Sequence, residues 1–332
     1  MEYSAIAREM MQLLQSDLEN YLQGRKENYC YQEEFSEEYG KDDKNYTNRT
    51  RLCYALFYAE QEIPEKETII RELFQEEVIS RENDDFQGIG VNLELLSVML
   101  REYEPLDSAL FQRAKDANYD CFCGYDPAIY RYESLADLDL KDYVQMAGDM
   151  HLPEYACRFV DVFKKQELTL EQLQELRLFA KYDTHRDCDR ELAVTKIYEA
   201  MQNAPDIDRH SFAFCRSVEE YIELLIQKQD TAQALTIFLE HADNFREDFG
   251  SYSILGAELM LQDSACRESV WTKIHPLILE MLKEEEIPFN SYHSFAECAD
   301  RMRKPGLAGA IREAYANLLR EQENDNESES SE

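Results

Sequence analysis

The stretch Arg190-Glu191-Leu192-Ala193-Val194-Thr195-Lys196-Ile197 returns later in the chain as Arg267-Glu268-Ser269-Val270-Trp271-Thr272-Lys273-Ile274. Arg, Glu, Thr, Lys and Ile recur in register at an offset of 267 − 190 = 77. A second echo has nearly the same spacing. Asp142-Tyr143-Val144, Glu220-Tyr221-Ile222 and Glu297-Cys298-Ala299 open three amphipathic stretches, with 221 − 143 = 78 and 298 − 221 = 77. Each is followed by a short break and a second amphipathic stretch. Self-similarity at a fixed period marks stacked supersecondary units. A chain built this way must cover each unit's apolar face with the next unit.

The spacing of apolar residues makes those units pairs of helices. Tyr143 to Asp149 pairs with Pro153 to Phe163, and Leu170 to Lys181 with Cys188 to Met201. Val218 to Lys228 then Thr231 to His241, Ser253 to Leu261 then Arg267 to Leu282, and Ser294 to Arg303 then Leu307 to Leu319 complete the series. Ala193, Val194, Ile197, Ala200 and Met201 share one helical face, and Val270, Trp271, Ile274, Leu277 and Ile278 take the same phase one repeat later.

Upstream, residues 4–23 read as a helix on Ile6, Met10, Leu13, Leu14 and Leu18, with Ser4 as its cap. Residues 25–46, polar and tyrosine-rich with the run Glu33-Glu34-Phe35-Ser36-Glu37-Glu38, read as a long loop. A helix from Asn48 to about Gln61 follows, and Pro64 suits the first turn of the next, which carries Ile69, Ile70, Leu73, Phe74 and Val78. After a break at Asn83-Asp84-Asp85 come Val91 to Tyr103 and Leu106 to Ala117, joined tightly enough to pack antiparallel. Regularity fades over residues 119–135, and a soft boundary is set near residue 135.

No strand alternation longer than a few residues is present. With 10 Gly and 8 Pro, few turns are expected to need positive φ. The expected fold is all-α, with antiparallel helix pairs stacked as a right-handed α-solenoid and each pair taking about half of a 77-residue repeat. The chain resembles a generic solenoid of the TPR or HEAT kind over roughly residues 90–320, at the level of paired helices. A TPR Trp-Leu-Gly-Tyr pattern is not met, so the resemblance carries over no functional residue. The expected divisions are an N-terminal helical region over 1–134, a helical-repeat region over 135–320, and a disordered acidic tail over 321–332.

Lys and Arg number 35 against 69 Asp and Glu, a net charge of −34. That field repels phosphate, which disfavours nucleic acid and anionic membranes and favours a basic partner or plain solubility. Nine cysteines, an odd number, without a basic-then-apolar start near Met1, suggest a reducing cytoplasm and buried free thiols. The sequons at Asn45 and Asn48 would then stay unmodified.

Each candidate for chemistry has a structural alternative. Cys121-Phe122-Cys123-Gly124, with Cys157 or His151, offers metal-ligand types, yet Cys-x-Cys is the wrong spacing for a tetrahedral site and reads better as a kinked connection. Asp183-Thr184-His185-Arg186-Asp187-Cys188-Asp189 lacks the Gly and Glu of a calcium loop, so Asp187 or Asp189 reads as a helix cap. Gly88-Ile89-Gly90 is a turn and not a dinucleotide loop. Arg301, Arg303 and Lys304 suit a helix C-terminus, stopped by Pro305-Gly306. Arg190 and Arg267, equivalent across the repeat, either pair with acids of an adjoining helix or line a groove and hold a partner's carboxylates.

No Walker A loop, nucleophile elbow or His-Glu-x-x-His is present, so no catalytic residue, cofactor or metal is assigned. The expected function is a non-enzymatic, cytoplasmic helical-repeat module that binds a protein or peptide. A basic partner that it neutralises or scaffolds, in the manner of an immunity protein, is the sharper form of that expectation. An enzyme with a site assembled between helices is the second class, and a peptide-responsive regulator the third.

Overall fold

The computed structural model describes residues 3–36, 40–84, 87–245 and 249–329, without the side chains of 36, 249, 321 and 323–329. Expectations that fall on Glu37, Glu38, Asp85 and 330–332 lie outside those residues. Sixteen α-helices and one two-stranded sheet are found among them. None of these helices is long and apolar enough to cross a membrane. The all-α class is therefore found, with successive helices packed against neighbours. The chain divides into two compact units, Met1–Leu168 with Leu178–Arg186, and Thr169–Arg177 with Asp187–Glu332.

The first unit contains α1 (Tyr3–Leu22), α2 (Tyr46–Phe57), α3 (Lys66–Glu82), α4 (Gly90–Leu100), α5 (Ala109–Lys115), α6 (Tyr119–Gly124), α7 (Leu140–Asp149) and α8 (Pro153–Phe163). Here α1 packs on α2 and α8, α2 and α3 both pack on α4, and α7 packs on α8. The expected pairing of the α4 and α5 segments is not what forms. Helix α4 takes α2 and α3 because Leu93, Leu95, Leu96, Met99 and Leu100 are buried almost all round it. A helix that is apolar on every side needs more than one neighbour. Leu106 is 50% exposed, and α5 starts only after it, at Ala109. Ser4 lies inside the first turn of α1, and Pro64 precedes α3, so neither holds its expected position.

The expected loop over 25–46 is folded. Its described part holds a hairpin of β1 (Glu33–Ser36) and β2 (Gly40–Asp43) in antiparallel register, Glu33 opposite Asp43. Tyr29 is buried edge-on to Tyr21, with centroids 5.5 Å apart. The Asn45 amide donates to the carbonyls of Glu27 (3.1 Å) and Cys30 (2.8 Å). Buried polar side chains anchor this segment where apolar ones are scarce.

That anchoring continues into a charged core. Arg49 and Arg81, both wholly buried, flank Glu77. Arg49 Nε donates to Glu77 Oε1 at 2.6 Å, and Arg81 Nη1 to Glu77 Oε2 at 2.5 Å. Arg49 also binds Asp43, and the Asn92 amide donates to Glu77 Oε1 at 2.9 Å. Burial pushes the Glu77 carboxyl upward, but the two guanidiniums outweigh it and hold it below the ordinary range. Four elements, β2, α2, α3 and α4, are thereby fixed on one buried carboxylate.

The division between units falls within α9 (Leu170–Tyr182). The second unit continues with α10 (Asp187–Asn203), α11 (Phe212–Gln227), α12 (Thr231–Glu240), α13 (Phe249–Gln262), α14 (Arg267–Glu284), α15 (Tyr292–Arg301) and α16 (Pro305–Glu329). Helix α10 packs chiefly on α11, not on α9 as its expected pair. Next, α11 packs on α12 and α13, α13 on α12, α14 and α15, and α15 on α16. The backbone of α16 stays helical through the acidic segment as far as Glu329. The echoed stretches keep their phase. Ala193, Val194, Ile197 and Met201 are buried, and so are Val270, Trp271, Ile274 and Ile278, each 77 residues on.

Glycine scarcity misleads about turns. Helices α7, α11, α14 and α15 are each followed by a non-glycine residue in the left-handed region: His151, Gln229, Glu285 and Arg303, with φ between 50° and 61°. After each comes the long return bond that closes a helix end, as in Leu152 N to Ala147 O (2.8 Å) and Lys304 N to Ala299 O (2.8 Å). Pro305 opens α16 rather than only ending what precedes it.

Candidate functional site: an acidic, tyrosine-lined pocket

Three helices and one irregular segment of the first unit enclose a cavity of about 420 Å³. Helix α2 and its following residue contribute Tyr54 and Tyr58, one turn apart. Helix α4 contributes Gly90, Val91 and Glu94, and α7 contributes Asp142, Gln145, Met146 and Asp149. Those α7 positions run i, i+3, i+4, i+7, which is one face of a helix. Arg131, Tyr132, Glu133 and Leu138 close the remaining side.

The walls are held from behind. Arg81 donates to the carbonyls of Gly88 (3.2 Å) and Ile89, immediately before α4. Gly90 has φ +65° and lies so close to Tyr46 that an added Cβ would meet its hydroxyl at 2.5 Å. Only glycine fits there, and the charged core thus sets where α4 begins. Arg51 Nε reaches Met150 O at 3.2 Å, tying α2 to the end of α7. At the other end of α7, Asp139 and Asp142 form a reciprocal capping box, with Asp139 N donating to Asp142 Oδ2 at 2.7 Å.

Two tyrosine hydroxyls organise the carboxylates. Tyr54 donates to Asp149 Oδ2 at 2.6 Å, and Tyr132 to Glu94 Oε2 at 2.8 Å. The rings of Tyr54 and Tyr58 lie nearly parallel, 6.2 Å apart. Burial first, then the charge of Glu94, push the Asp149 carboxyl above its ordinary range, against the hydrogen bond from Tyr54 and the charge of His151. Asp149 is also the last residue of α7, where the helix dipole presents its negative end. Burial raises Asp142 as well, and lifts the Tyr58 hydroxyl to about 12. Beside Asp149, the Asp183 carboxyl rises to about 6, from burial and then from the Asp149 charge.

The lining thus holds four carboxylates, Glu94, Glu133, Asp142 and Asp149, against one guanidinium, Arg131. Arg131 Nη1 is engaged by the carbonyls of Ala128 (2.7 Å) and Tyr130 (2.6 Å). A cavity with excess carboxylates, three of them half-buried, and aromatic walls suits an ammonium or guanidinium group.

The residues singled out from the sequence lie elsewhere. Arg190 is half-buried, and its Nη1 donates to Gln227 Oε1 at 3.0 Å. Arg267 is half-buried, and its Nε reaches Met260 O at 3.4 Å. Each sits against the last turn of a neighbouring helix, α11 or α13, where a cation offsets the dipole. Arg301 joins Arg267 at the end of α13 through Leu261 O at 2.8 Å. Asp187 and Asp189 fall within the first turn of α10 and are not its cap. Cys121 is buried while Cys123 is exposed, so the two thiols of α6 face different surroundings. Among the described residues, no group of three or more His, Cys, Asp or Glu side chains has the geometry to hold a metal ion. No protein-family model, curated protein or solved structure matches the chain.

Proposed function

We propose that the protein is a non-enzymatic binding module for a basic protein or peptide, with a lysine or arginine side chain entering the Tyr54–Tyr58–Tyr132 pocket. The observation that carries this reading is the imbalance of four lining carboxylates against one engaged guanidinium. The net charge of −34 extends the same preference to the rest of the partner's surface. Neutralising or scaffolding a basic protein in the cytoplasm is the biological form of this proposal. The contacts of α11 with α13 and of α13 with α15 support stacked helix pairs in the second unit, as the proposed right-handed solenoid requires.

The test is titration of a fluorescein-labelled oligolysine peptide into the full-length protein. Glu94→Gln with Asp149→Asn removes two charges and keeps the tyrosine hydrogen-bond acceptors. Each lost charge-assisted contact is expected to weaken binding about tenfold. Unchanged affinity in the double variant would sink the proposal, as would affinity that does not fall with added salt.

A further inference from the structure

A second cavity of the first unit, about 760 Å³, opens along α1. Its floor is apolar: Ala7, Met11, Leu14 and Leu18 from α1, then Ala55, Ile63 and Leu135 opposite. Leu14 and Leu18 are buried, but Leu22 at the end of the groove is 47% exposed. Tyr58 lines both cavities. The chain also passes from one to the other at Leu135–Ala136 to Leu138 and at Tyr143 to Asp142. An apolar groove and a cation pocket therefore adjoin across a single side chain.

We infer that the ligand is one amphipathic segment of a basic partner. Its apolar side chains lie in the α1 groove, and its lysine or arginine lies beyond Tyr58 in the acidic pocket. This rests on the cation-pocket reading and extends it. Charge selects the occupant. The groove rim carries Glu60 and Glu62 against Arg8, and the adjoining pocket adds four carboxylates against one guanidinium. A second copy of this chain is disfavoured, since it would bring another −34 to the same surface. Apolar burial supplies affinity and the charge pair supplies register, the usual division of labour for a helix in a groove.

The experiment compares three labelled synthetic peptides of about 14 residues, or about 20 Å as a helix. One is an amphipathic leucine/lysine peptide, one a serine/lysine peptide of equal charge, and one a leucine/glutamate peptide. Leucine is expected to improve affinity over serine by at least about tenfold. Met11→Ser with Leu22→Ser, at partly exposed positions and checked for an unchanged circular dichroism spectrum, should erase that gain. The same variant should leave the serine/lysine peptide unaffected. Glu94→Gln should weaken both lysine peptides. Equal affinity for leucine/lysine and serine/lysine peptides, with Glu94 still required, overturns the groove and leaves the cation pocket standing. Loss of the Glu94 requirement overturns the pocket reading itself. Equal binding of the leucine/glutamate peptide overturns the charge selection. A dimer that Met11→Ser with Leu22→Ser dissociates assigns the groove to a second copy and overturns the inference.

Discussion

Asp183→Asn should stabilise the protein near neutral pH and leave it unchanged near pH 4. Asp183 follows α9 directly, is half-buried, and packs its Oδ1 where a Cβ on Gly148 would stand. Two helix ends, those of α7 and α9, therefore set their carboxylates beside each other at the negative poles of their dipoles. Burial and then Asp149 raise the Asp183 carboxyl to about 6, from 3.8. A carboxyl whose folded value is raised binds protons more tightly in the native state. Its penalty is absent below the unfolded value, grows as pH rises from about 3.8 to about 6, and is complete above that. The difference 6 − 3.8 corresponds to about 3 kcal/mol, and partial solvent exposure screens it to about 1–2 kcal/mol. Asparagine has the same shape and no charge, so it should gain that amount at pH 7.5. The assay is urea unfolding by circular dichroism from pH 4 to 8. A variant curve parallel to that of the wild type at every pH would refute the electrostatic account, and a net loss at pH 7.5 would show that the carboxylate makes a favourable contact.

Glu77→Gln should destabilise by about 3–5 kcal/mol, read as a fall in urea midpoint, because Arg49 and Arg81 would keep buried charges without a counter-ion. Gly256→Ala should cost about 1–3 kcal/mol in the same assay, since its Cβ would meet Ile274 Cγ2 at 2.5 Å, Phe238 Cζ at 2.9 Å and Val270 Cγ1 at 3.0 Å. A neutral Gly256→Ala would mean that α13 and α14 slide apart without loss, against the close packing of the echoed Val270 and Ile274.

The helices were legible and the pocket was not, for one physical reason. Helical periodicity is written in residues close in sequence, so α7, α8, α10, α14 and their buried phases could be read from spacing alone. The 77-residue echo likewise marks buried positions, Val194 with Trp271 and Ile197 with Ile274. Neighbour choice is not written locally. That α4 takes α2 and α3, or α10 takes α11, follows from how apolar faces match in space. The charged core shows the limit most plainly. Asp43, Arg49, Glu77 and Arg81 look like ordinary surface charges in a chain with 69 acids, and only their convergence makes them interior. Glu94, Asp142 and Asp149 share that camouflage. A usable signal did exist in the i, i+3, i+4, i+7 run Asp142-Gln145-Met146-Asp149, a face with three polar positions beside the buried Tyr143, Val144 and Ala147.

The arginines bear on the proposed basic partner. Arg51, Arg81, Arg101, Arg267 and Arg301 donate to backbone carbonyls, among them Met150, Ile89, Pro127, Met260 and Leu261. Three of those carbonyls lie at or just beyond the ends of α7 and α13, where unpaired acceptors and dipole both favour a cation. Arg49 and Arg81 are consumed in neutralising the interior carboxylates Asp43 and Glu77. Cations used inside the fold or at helix ends have fewer donors left for the surface acids than their number suggests. One carboxylate of the pocket, Asp149, sits at such an end, that of α7, where Arg51 takes the Met150 carbonyl and Asp149 accepts from the Tyr54 hydroxyl. A neutral donor holds a buried carboxylate in place without satisfying its charge, and a cation arriving from outside is the group that would.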